Sequence, residues 1–188
     1  MKDFKSIKLF LFLVLSAAIV VGCDSDDPDD DGPGEEELIT TVTLTLTPQA
    51  GGQNVTAVAN DPDGDGAGFT IGDINLTANT TYTGTITFRD DVNNEDITAE
   101  VEEEDDVHQV WYTPGGDAAG RVTVTIDDMD GNGLPVGLDF TVVVSAGADA
   151  SGTLNVVLSH YDEGPKDGVT QSDESDVDLV FPVNITGN

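Results

Sequence analysis

From Leu38 onward apolar residues alternate with Thr, Asn or Asp at period two, and no window carries a helical stripe. The pattern predicts strands at Ile39–Thr47, Val55–Asn60, Asp73–Ala78, Tyr82–Arg89, Ile97–Glu102, Val107–Thr113, Arg121–Asp127, Leu138–Ser145, Thr153–Tyr161 and Val177–Thr186. Short strands separated by Gly, Pro, Asn and Asp clusters predict an all-β protein, an antiparallel, immunoglobulin-like β-sandwich. The first 37 residues follow a different pattern. Met1 to Lys8 is basic, Leu9 to Val21 is apolar, and Gly22 is small. This is the layout of a signal peptide over residues 1–22, with an apolar run too short to span a bilayer as a helix.

An internal repeat organises the strands. Residues 54–66 (NVTAVANDPDGDG) align without gaps on residues 121–133 (RVTVTIDDMDGNG). Upstream, Glu35-Glu36-Glu37 and Thr47-Pro48 match Glu102-Glu103-Glu104 and Thr113-Pro114; downstream, Gly84-Thr85-Ile86 matches Gly152-Thr153-Leu154. The chain therefore reads as two copies of a roughly five-stranded unit, 35–104 and 105–188. Units this small bury little surface alone, which favours one sandwich over residues 38–188 built from both halves, with two small domains as the alternative.

Charge narrows the function. Residues 23–188 hold 36 Asp or Glu against Arg89, Arg121 and Lys166, a net charge of −33. Such a field repels phosphate backbones, and no basic cluster exists to release counterions, so nucleic-acid binding is excluded. Val20-Val21-Gly22-Cys23 resembles a bacterial lipobox, and Cys23 is the only cysteine, so the expectation is lipidation of Cys23 and membrane attachment through that lipid, with no disulfides. Nine acids among the fourteen residues 24–37, with Pro and Gly interspersed, predict a disordered tether. Fully extended, it reaches roughly 45 Å.

Several constellations are candidates for chemistry. Asp61, Asp63 and Asp65, and again Asp128, Asp130 and Asn132, fit the D-x-[DN]-x-[DN]-G opening of a calcium loop, with Asp139 at the twelfth position of the second copy. The competing reading is plain turns, since Asp, Asn and Gly form turns readily. The acids of residues 102–106 beside His108 suit zinc or copper. His160, the only other histidine, is 52 residues away with no ligand pair in register, so a solvated strand end with one satisfied histidine is the expectation. His108 shares the inward parity of Val110 and Tyr112, and His160 that of Leu154, Val156 and Leu158; both histidines remain candidate ligand contacts. Trp111 falls on the opposite face of its strand, where an exposed ring stacks on sugars or anchors a partner unless a loop covers it. No nucleophile elbow or phosphate loop is present, so the protein is not expected to be an enzyme.

The run of residues 35–48 (EEELITTVTLTLTP), with Thr81-Tyr82-Thr83-Gly84-Thr85 and Leu158-Ser159-His160, resembles a group of small outer-membrane and surface lipoproteins of Bacteroidota. The label "type 1 periplasmic binding fold" that some of them carry implies an α/β protein, which the strand-only pattern contradicts. The resemblance implies a location at the outer membrane, on its surface or its periplasmic side, and association with a TonB-dependent receptor. The expected protein is a monomeric, non-catalytic binding or accessory module. A structural or adhesive surface protein without a specific small ligand is the alternative.

Overall fold

The computed structural model describes residues 37–64, 68–161 and 165–187. Ten strands form two facing sheets of an all-β sandwich. The six-stranded sheet has the order β3 (Thr70–Ile71), β2 (Val55–Asn60), β1 (Thr41–Pro48), β5 (Thr80–Arg89), β8 (Asp139–Val144), β7 (Val122–Ile126). The four-stranded sheet has the order β4 (Ile74–Thr77), β10 (Glu174–Thr186), β9 (Ala150–His160), β6 (His108–Gly116). Period-two alternation drives the assembly: Val42, Leu44 and Leu46 of β1, Ile86 and Phe88 of β5 and Phe140 and Val142 of β8 meet Leu154, Val156 and Leu158 of β9 and Leu179, Phe181 and Val183 of β10 in one core.

Both sheets draw on both halves of the sequence. β5 pairs with β8, and β4 pairs with β10. The β4–β10 pair is parallel, a departure from the purely antiparallel expectation that the long crossover between the two strands allows. The aligned halves also pair differently. β1 forms a hairpin with β2, whereas β6 and β7 lie at the edges of different sheets, because Gly115 and Gly116 and a 3-10 turn at Asp117–Gly120 redirect the chain.

Residues 97–102 correct the strand reading: the chain forms helix α1 over Ile97–Glu103. Ile97 and Val101 are both buried while Ala99 is exposed, as a helix of spacing i, i+4 requires. Two apolar residues four apart satisfy both periods, so the sequence pattern there is degenerate. The helix covers the end of β5 beyond the reach of β8. Phe88 N donates to Thr98 Oγ1 at 2.9 Å, and that hydroxyl donates to Phe88 O at 3.0 Å. One side chain thereby satisfies a backbone edge that the sheet leaves open.

Candidate metal centre

At one end of the sandwich four side chains converge: Glu37, His108, His160 and Asp176, whose ligand atoms all lie within 4.8 Å of one another. His108 opens β6 and His160 closes β9, and antiparallel pairing sets them directly opposite. Both face inward by the parity of their strands, and their rings lie 4.5 Å apart, tilted by 43°. The expectation of two histidines out of register is therefore corrected: strand pairing supplies the register that sequence separation hides.

Asp176 arrives by a different device. The ladder of β10 on β9 runs Glu174↔His160, Ser175↔Ser159, then Val177↔Leu158, so Asp176 is the extra residue of a β-bulge. A bulge re-aims a side chain, and here it turns the Asp176 carboxylate toward the histidines, where it is fully buried. Glu37 lies just ahead of β1, held by Glu37 N donating to Asp176 Oδ1 at 3.4 Å. It belongs to the domain, which corrects the expectation that the tether extends over residues 23–37. Glu37 is thus contributed by the approach to the larger sheet, and the other three by the smaller sheet.

Imidazole and carboxylate atoms approach closely. His108 Nε2 is 3.3 Å from Glu37 Oε1 and 3.7 Å from Asp176 Oδ2; His160 Nδ1 is 3.7 Å from Glu37 Oε2 and 3.5 Å from Asp176 Oδ1. Among the described residues, buried His108 Nε2, Glu37 Oε2 and Asp176 Oδ2 have no aligned hydrogen-bond partner. The second nitrogen of His108 is engaged: Nδ1 lies 3.1 Å from Glu104 O in the turn after α1. As a donor there, it leaves the Nε2 lone pair facing the cluster.

Burial and the adjacent Glu37 carboxylate push Asp176 up to about 8. Burial also acts to raise Glu37, but His108 and Asp176 outweigh it and bring Glu37 down to about 2. Burial opposes the charged form of His108, yet the two carboxylates raise it above the ordinary histidine value. Two carboxylates in one dry site retain one proton between them at neutral pH.

The calcium loops gain no support. Asp128 accepts from Gly137 N and Leu138 N, and Asp130 Oδ1 accepts from Asn132 N and Leu134 N. Asp130 Oδ2 meets Lys166 Nζ at 3.1 Å, a buried ion pair whose ammonium also donates to Asp105 O. The loop is closed by its own amides and by a lysine where the motif expects a cation, while Asn132 and Asp139 are exposed. In the first loop Asp61 is buried, Asp63 is exposed, and Asp65 lies outside the described residues, as does Cys23. Trp111 is half-buried. Its outward-facing neighbours Gln109, Val157 and Ser159 are buried, so a second layer covers this end of the sheet. Tyr161, whose hydroxyl donates to Thr170 O at 2.8 Å, folds the chain after β9 back on itself there.

No protein-family model, curated protein or solved structure matches this chain.

The cluster fixes a pH dependence for the metal-free protein. Asp176 and His108 titrate higher folded than unfolded, so between about pH 6 and 9 the native state binds more protons and stability falls as pH rises. Surface carboxylates are already ionised across this range. Melting temperature in the presence of a chelator should decline from pH 6 to pH 9, and Asp176→Asn should flatten the decline. An unaltered slope in Asp176→Asn would show that the cluster does not govern it.

Proposed function

We propose that the protein is a non-catalytic, lipid-anchored module of the cell envelope whose domain is built around one divalent transition-metal ion. Glu37, His108, His160 and Asp176 are its ligands. The convergence of four ligand atoms within 4.8 Å carries this reading. Buried charges are ordinarily paired or bound to a metal, and His108 Nε2, Glu37 Oε2 and Asp176 Oδ2 are buried here without an aligned hydrogen-bond partner among the described residues. Two imidazoles with two carboxylates suit zinc, copper, nickel or iron and not calcium, which takes oxygen ligands throughout.

The anchor rests on the lipobox at Cys23 and the acidic segment behind it. A binding or accessory role beside an outer-membrane transporter, with a TonB-dependent receptor as partner, rests on the resemblance to Bacteroidota lipoproteins. The absence of a nucleophile motif in the sequence is consistent with a non-catalytic role.

Calorimetric titration of the purified protein in detergent with zinc, copper, nickel, calcium and magnesium tests the centre. One transition-metal ion per chain is expected, with weak or no calcium binding. His160→Ala should weaken binding by more than the roughly 10–100-fold that loss of an outer-shell partner costs. No transition-metal binding, or binding that His160→Ala leaves intact, would remove the proposal. For the anchor, Cys23→Ala should leave the precursor unprocessed or release the protein from the membrane fraction; palmitate labelling of that variant would contradict it.

A further inference from the structure

We infer that the metal is a closed structural staple of the zinc class, held by four protein ligands and cross-linking the two sheets, and not an exchangeable or transported ion. This rests on the metal-centre reading above and adds the ion's coordination and its role.

Ligand number and donor chemistry point to tetrahedral coordination: two imidazoles and two carboxylates supply the four protein ligands that zinc takes in a structural site. Each histidine nitrogen has an oxygen of both acids 3.3 to 3.7 Å away: His108 Nε2 faces Glu37 Oε1 and Asp176 Oδ2, and His160 Nδ1 faces Glu37 Oε2 and Asp176 Oδ1. Four side chains already complete a tetrahedron. The Glu37 side chain is 10% exposed, His160 5%, and His108 and Asp176 0%, so the centre presents almost no surface through which a solvent or substrate ligand would enter.

The placement of the ligands defines the role. Glu37 lies two residues before the buried Ile39 at the entry to the larger sheet, whereas His108, His160 and Asp176 belong to the smaller one. An ion bound to all four ties the start of the domain to its last strand, across a sequence separation of 139 from Glu37 to Asp176. A cross-link over so long a loop restricts the unfolded chain strongly, which is the way a disulfide acts. This chain has no second cysteine with which to make a disulfide, and its net charge of −33 from residue 23 onward favours expansion. A cation in the interior opposes both deficits.

Cobalt substitution separates the possibilities. Loaded with Co²⁺ in place of zinc, the purified protein in detergent should show the intense visible bands of tetrahedral cobalt, unchanged by azide or thiocyanate. Zinc should leave to excess chelator no faster than the domain unfolds, followed by the fluorescence of Trp111, the only tryptophan. Glu37→Gln, at the domain edge and with three strong ligands intact, should still take up Co²⁺ but become anion-sensitive and release zinc at least about tenfold faster. Uptake with weak, anion-shifted bands, or release much faster than unfolding, would overturn the staple while leaving the metal centre standing. Failure of wild-type protein to take up cobalt or zinc would overturn both.

Discussion

The β6–β9 ladder sets His108 opposite His160, and the candidate centre depends on that register. Side chains alternate across a strand, so a one-residue slip would turn one imidazole to the outer face and leave the other facing carboxylates alone. The register is held from within by Val110, Leu158 and Val156, each fully buried, and the histidines extend the same inward rows to the sheet's end. The bulge in β10 completes the arrangement. Without the extra residue, Asp176 would follow the outward row of Asp178 and Val180, which are exposed.

Two buried clusters in this acidic protein handle charge in contrasting ways. At Asp130 the protein supplies its own cation: Lys166 reaches across from the segment between β9 and β10, and backbone amides take the other carboxylate oxygen. The Asp130 charge is matched by an ammonium at 3.1 Å that also donates to Asp105 O, so this cluster is neutralised within the chain. At Glu37 and Asp176 no lysine or arginine approaches among the described residues, and two histidines face the acids. Burying two carboxylates beside two imidazoles is unfavourable unless protons or a metal ion neutralise them. That difference in compensation is why the second cluster, and not the motif-matching loops, is the candidate site.

Most of the architecture was legible in period-two alternation, which placed nine of the ten predicted segments on strands of the sandwich. The exception, α1, lay where Ile97 and Val101 fit both periods and only the open edge of β5 decides between them. β3 is two residues long and gives no periodic signal. The site was half legible. Inward parity of His108 and His160 could be read from neighbouring apolar residues, but the pairing of β6 with β9 is a long-range fact that no local pattern carries. Asp176 was hidden because a bulge breaks the alternation by which facing is read. Glu37 was hidden because it ends a run of acids that resembles a solvated tether. The D-x-[DN]-x-[DN]-G pattern is ambiguous for a physical reason: aspartates that ligate a cation and aspartates that cap turn amides occur at the same spacing, and in the second loop a lysine distant in sequence takes the Asp130 carboxylate.

The central claim is that two imidazoles and two carboxylates from distant parts of the chain hold one metal ion. Zinc K-edge X-ray absorption on the zinc-loaded protein tests it most directly. The account predicts a single shell of four nitrogen or oxygen neighbours at about 2.0–2.1 Å, with multiple scattering from two imidazole rings. A six-oxygen shell, or fewer than two imidazoles at the metal, would contradict it.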